Sequence, residues 1–348
     1  MTRVAARARP CTCGAPIRQT ALTGAATARY QLRVRIVRLS VALVALLCAA
    51  EVALRLVAPR PVRAFLDVPL DDTTCHPQRE YALRPSATID YAGVRTNLNP
   101  WGLRGPLPEA GAPTAVVAVG DELTFGWGVA DGETFPAQLQ SLLKDRCASC
   151  GGVVNVGVPG YTTYQGLMLL REVLQHVQPR VVVLSFHASD ELIGDAPAVT
   201  DACPAGIVPA LRRHSAVYAW IRWLLDRSPR DWSTRQARTS VARYQRSLLA
   251  MASEAARVGA TPIFLNVGFG PSPAAGVDGR RLRRGRYEGE YQTSMRDASR
   301  KFGAPLSEFI GVELDRTTML DDVHPSVAGY RQMALRVAQT ITDARLLE

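Results

Sequence analysis

From residue 114 onward, short unbroken apolar runs alternate with amphipathic stretches, the pattern of buried strands followed by helices. Thr114–Val119, Val153–Val156, Val181–Phe186, Pro262–Val267 and Pro305–Ile310 read as five strands. Between them, Phe135–Cys147, Tyr164–His176, Val217–Asp226, Thr239–Val258 and Gly289–Phe302 read as helices. Ser326 can cap a final helix that carries Ala328, Met333, Val337 and Ile341. Val181–Phe186 is apolar at nearly every position, as a strand covered on both faces must be. This alternation predicts an α/β fold, a three-layer α/β/α sandwich with a mostly parallel five-stranded sheet, in one domain over 114–348.

The first 113 residues follow a different pattern. Residues 1–35 are rich in Ala, Arg, Thr and Gly without a sustained period, and are expected to be a disordered basic tail. Leu39–Ala50 is uncharged and apolar, and the wider stretch 36–58 is long enough to span a bilayer with Arg38, Glu51 and Arg55 near its ends. Glu51 and Arg55, four apart, can pair on one helix face. Eight Arg and no acid precede the apolar core, which predicts a signal anchor with the tail in the cytoplasm. The main domain would then lie outside, periplasmic, on a single-pass membrane protein. The alternatives are a signal peptide cut near Ala50 and a helix of a soluble domain. Residues 59–113 are rich in Pro and turn signals, and read as a linker wrapping the domain.

Charge then sharpens the picture. Of the net +10, residues 1–60 carry +9, from ten Arg and Glu51. The remainder is nearly neutral, which leaves no electrostatic footprint for nucleic acid. The five Arg of the loop 279–286 read as a solvated loop, with contact to an anionic substrate or head group as the alternative. Cys75, Cys147, Cys150 and Cys203 would all lie outside the membrane, where disulfides persist. Their pairing stays open. Cys147-Ala-Ser-Cys150 also has the spacing of half a zinc site or of a redox pair, with no second such pair in the chain.

The candidate chemistry clusters at strand ends. Val116–Val119 runs into a Gly120-Asp121-Glu122 turn, and the carboxyl end of a parallel strand is where such sheets hold their ligands. Asn155-Val-Gly-Val-Pro-Gly160 follows the second strand, His187-Ala-Ser189-Asp190 the third, and Asp321-Asp322-Val323-His324-Pro325 precedes the final helix. In that order and spacing, residues 90–345 resemble the SGNH/GDSL hydrolases, membrane-anchored bacterial type. Thr96–Gly105 resembles a segment that precedes the first block in such proteins, and also reads as a tight turn on the sheet edge.

The resemblance implies a flavodoxin-like SGNH hydrolase fold and a serine esterase or acyltransferase site. Gly160 then matches an oxyanion donor, His324 the base and Asp321 its orienting carboxylate. Two positions depart. Glu122 stands where the family has its nucleophilic serine, and Ser189 where it has the third block's Asn. A carboxylate beside His324 predicts an ion pair in place of a nucleophile–base pair, and Ser189's short arm is expected to fall short of the oxyanion point. Thr124 and Ser189 are nearby hydroxyls off the turn, so no replacement nucleophile is evident.

The expected function is therefore a degenerate SGNH domain that binds or scaffolds in envelope or polysaccharide modification, with an acyl ester or acylated glycan as ligand and no cofactor. An active hydrolase or O-acyltransferase with Glu122 as general base on water is the alternative. Convergence of Glu122, His187, Asp321 and His324 on a divalent metal is a third.

Overall fold

The computed structural model describes residues 20–57, 73–108, 113–146, 151–186, 188–191, 215–218, 220–221, 237–268, 289–311, 315–321 and 323–348. The chain divides into two compact units, Met1–Pro59 and Arg60–Glu348.

The first unit contains helix α1 (Thr20–Val57). Ala28–Leu56 within it is long and apolar enough to cross a membrane, and none of it is buried. Arg55 Nε donates to Glu51 Oε1 at 2.8 Å, the expected pair one turn apart. The helix starts at Thr20, so the predicted span 36–58 is the carboxyl-terminal part of a longer helix. Ala, Arg and Leu, which dominate the stretch, are strong helix formers.

The second unit opens with two antiparallel hairpins inside the Pro-rich stretch. Strand β1 (Thr73–His76) pairs with β2 (Glu80–Leu83), and β3 (Thr88–Tyr91) with β4 (Val94–Asn97). Tyr81, Leu83, Ile89 and Tyr91 face inward at every second position and join the core. The stretch therefore contributes packing as well as connection. Cys75 in β1 is disulfide-bonded, Cys48 is a free exposed thiol, and Cys147, Cys150 and Cys203 lie outside the described residues.

The main sheet has five parallel strands: β5 (Thr114–Gly120), β6 (Gly152–Gly157), β7 (Pro179–Ser185), β8 (Thr261–Val267) and β9 (Leu306–Phe309). Their order across the sheet is β6-β5-β7-β8-β9, with Val117 opposite Val154 on one side and Val182 on the other. The helices are α2 (Glu122–Phe125), α3 (Phe135–Arg146), α4 (Thr163–Val173), α5 (Ala188–Glu191), α6 (Val241–Arg257), α7 (Glu290–Phe302) and α8 (Val327–Asp343).

Period-two alternation in the strands produces two cores. Val117, Val119, Val182, Leu184 and Phe264 pack with Leu170 of α4, Leu248 and Met251 of α6, and Met295 of α7. Val116, Ala118, Val181, Val183 and Ile263 pack with Leu139 of α3 and Met333 and Val337 of α8. This is the predicted three-layer α/β/α sandwich. Ser326 caps α8 by accepting from the Gly329 amide. Because β6 and β7 flank β5 on opposite sides, the chain switches direction at β5, and a crevice-forming point lies at its carboxyl end.

Candidate functional site

Strand β5 ends at Gly120, where a side chain has no room. A Cβ there would sit 2.1 Å from both the Ser185 carbonyl oxygen and Thr124 Oγ1. This close approach lets the chain turn at once into α2, with Asp121 as its cap: Oδ1 accepts from the Leu123 amide at 3.1 Å. The single turn of α2 closes at Gly126, whose φ of 98° suits glycine. Glu122 is thereby set at the first position of the turn, 6% exposed.

Its carboxylate has two donors. Glu122 Oε2 accepts from the Gly160 amide at 3.1 Å and from the Ser189 hydroxyl at 2.6 Å. Gly160 lies in the β6–α4 connection at φ +71°, and Ser189 in α5 directly after β7. Three strand ends thus meet on one oxygen. Two expectations are corrected here. Ser189 does reach the point served by Gly160, because α5 starts close enough to β7 for a short arm to suffice. Glu122 pairs with this donor set and not with His324, since the α2 turn aims its carboxylate toward the β6 and β7 connections. Thr124 is buried and donates to the Ser185 carbonyl at 3.3 Å, so its hydroxyl is committed to structure.

His324 and Asp321 form the second half of the site. Asp321 Oδ1 accepts from the amides of Val323 and His324, each at 2.7 Å, and Oδ2 lies 2.7 Å from His324 Nδ1. Burial raises the Asp321 carboxyl's pKa, but the His324 hydrogen bond and charge outweigh it, and the net position is below the ordinary carboxylate range. An ionised Asp321 accepts only, so Nδ1 carries the proton and the ring's orientation is set. The indole of Trp127 stacks on this imidazole, with centroids 3.9 Å apart and planes at 14°. Asp321 and Trp127 together therefore fix the position and orientation of the His324 ring.

Three supporting residues lie outside the predicted site. Arg104 is 1% exposed and grips the loop that bears Trp127. Arg238 donates to backbone carbonyls of both donor residues, Gly160 and Ser189. Asp190 is fully buried and accepts from the Thr163 amide at 2.8 Å and hydroxyl at 2.9 Å, tying α5 to the start of α4. Arg104 and Asp190 sit within the quoted segments Thr96–Gly105 and His187–Asp190, which is the signal by which they are findable. Arg238 belongs to no motif.

Asp190 makes stability depend on pH. Burial raises its carboxyl to about 6, against the Thr163 hydrogen bonds, which lower it. A folded pKa above the unfolded value of about 3.9 means that the native state holds this proton more tightly. Its contribution is therefore fullest below pH about 4 and is lost as pH rises through about 6, by on the order of 3 kcal/mol. Asp190→Asn, whose amide resembles the protonated acid, is expected to be close to the parent chain in stability at pH 4 and more stable than it at pH 7. Its urea midpoint should then change less between pH 4 and 7, and a parent-like slope would contradict this role.

Among the described residues, no group of three His, Cys, Asp or Glu gathers as a metal site. His187, which the metal reading needed, lies outside them, as do Asp322 and the Arg-rich loop 279–286.

Comparison with known proteins follows the same line. The model of the GDSL-like Lipase/Acylhydrolase family matches residues 118–332. Thioesterase 1/protease 1/lysophospholipase L1 of Escherichia coli (strain K12) is 34% identical over 92 residues, 26% of this chain and 42% of that enzyme. The match thus spans less than half of that relative's length. Among solved structures, psychrotrophic esterase EstA from Pseudoalteromonas sp. has 17% identity and a TM-score of 0.43, covering 66% of this chain and 98% of its own. LAE5, an alpha/beta hydrolase from the metagenome of Lake Arreo, has 17% identity and a TM-score of 0.44, covering 66% and 96%. The family model takes in the turn after β5, the Gly160 and Ser189 connections and the Asp321–His324 pair, and on that match this chain belongs to the GDSL-like Lipase/Acylhydrolase family.

Proposed function

We propose that this protein is a membrane-anchored, extracytoplasmic member of its family that binds its ligand without cleaving it. It serves as a binding or scaffolding subunit in envelope or polysaccharide modification, with an acylated glycan or other acyl ester as the ligand class. The observation that carries the reading is the Glu122 carboxylate seated on the Gly160 and Ser189 donors. An ester carbonyl is neutral, and to be polarised by this pair it must displace an ionised acceptor whose hydrogen bonds are roughly twice as strong. The displaced carboxylate would be left buried without donors, a penalty of several kcal/mol. The Asp321–His324 pair is intact but has no hydroxyl to activate on the turn.

The anchor rests on the apolar Ala28–Leu56 helix and on the Arg-rich segment before it. An outer location agrees with the oxidised Cys75, whose partner is one of the remaining outer cysteines in this reading.

The amide of Gly160 reports the arrangement. In the ¹⁵N-labelled full-length chain it is expected to exchange slowly with solvent, and Glu122→Ala should shift its resonance and speed its exchange. A Gly160 resonance indifferent to Glu122→Ala would remove the basis of the reading.

A further inference from the structure

We propose that Arg238 is the positioning residue of the donor pair, and that the pair it holds is a receptor for one carboxylate, filled in this chain by Glu122. The proposal rests on the self-occupied site described above.

Gly160 and Ser189 come from connections after different strands, and no covalent constraint fixes their spacing. Arg238 Nη1 donates to the Gly160 carbonyl at 2.8 Å and to the Ser189 carbonyl at 3.3 Å. Each of the two residues therefore presents its carbonyl to one cation and its donor to one anion. For Gly160 this ties both backbone polar groups, and so defines the left-handed conformation at φ +71° in which its amide meets Glu122.

Arg238 is itself held. The next residue's amide, Thr239, donates to the Asp190 carbonyl at 3.1 Å, and its carbonyl accepts from the Tyr291 hydroxyl. Ser240 then caps α6. The guanidinium thus projects from a fixed segment that is stitched to the Ser189 connection and to α7. A positive charge bonded to both donor residues also favours an anion on them over a neutral oxygen. Arg238 thus bridges the two connections through their carbonyls, while the Glu122 carboxylate bridges them through their donors.

Acetate is the probe. In full-length Glu122→Ala, held in detergent micelles, the side-chain carboxyl is gone while the Gly160 amide and Ser189 hydroxyl are left without their acceptor, a state that favours a replacement anion. Calorimetry is expected to show acetate binding to Glu122→Ala and none to the parent chain. Adding Arg238→Met should weaken acetate by roughly 10-fold or more, and Arg238→Lys should restore part of the loss. Equal acetate affinity with and without the Arg238 substitution would overturn its positioning role. A folded Glu122→Ala that ignores acetate would overturn the receptor. Should Arg238→Met fail to fold, Arg238→Lys carries the comparison, and an affinity unchanged by Lys overturns the role equally. Ester turnover by the parent chain would sink the functional reading while leaving the acetate result to stand, so the two failures are distinguishable.

Discussion

Glu122→Ser is expected to raise short-chain ester hydrolysis by about 100-fold over the parent chain, the low end of what a positioned general base contributes. One substitution changes two things. It removes the carboxylate that occupies the Gly160 and Ser189 donors. It also puts a hydroxyl on the turn after β5, in a site where His324 is already oriented by Asp321 at 2.7 Å. The gain has a ceiling, because the third block's Asn is absent. Loss of one oxyanion donor costs about 100- to 1000-fold, and the Ser189 hydroxyl replaces it only in part. Adding His324→Ala to Glu122→Ser should return the rate to that of the parent chain. A Glu122→Ser variant that folds and stays inert would mean that the remaining geometry is not a catalytic one.

Arg104 carries the largest expected stability effect. Its Nε donates to Asp131 Oδ1 at 2.8 Å, Nη1 to the carbonyls of Phe125 and Gly126 at 3.2 and 2.5 Å, and Nη2 to that of Val129 at 2.6 Å. The guanidinium carbon also lies 5.3 Å from the centre of the Phe125 ring. Residues 126–130, between α2 and a short 3₁₀ turn at Asp131–Glu133, are irregular, so these bonds define their path and with it the position of Trp127 over His324. Arg104→Ala leaves buried carbonyls without donors and opens a cavity, and should cost about 3–5 kcal/mol in urea unfolding of the full-length chain. Arg104→Lys should recover less than half of this, since a single ammonium cannot reproduce the planar fork. A loss below about 1 kcal/mol on Arg104→Ala, the range of an ordinary surface substitution, would show that the loop holds itself.

What could be read from sequence follows from how local each signal is. The five parallel strands were legible because strands covered on both faces are written as unbroken apolar runs, and their ends agree within two residues. The hairpins β1–β2 and β3–β4 were not. Each strand has four residues, at most two of them buried, among prolines that read as linker. At the candidate site, spacing within motifs singles out Gly160, Asp321 and His324. The destination of the Glu122 carboxylate was not, because chemistry alone pairs it with the imidazole, and only the α2 turn sends it to Gly160 and Ser189. Arg104 and Arg238 act on backbone carbonyls, which every residue has, so no pattern of side chains announces their partners.

The measurement that bears most directly on the central claim, a site closed by its own carboxylate, is ester hydrolysis by the parent chain, with His324→Ala and Glu122→Ser purified and assayed beside it. The parent chain and His324→Ala are both expected to match the buffer rate while Glu122→Ser rises above it. Turnover by the parent chain that His324→Ala abolishes would contradict it, and would assign Glu122 to catalysis.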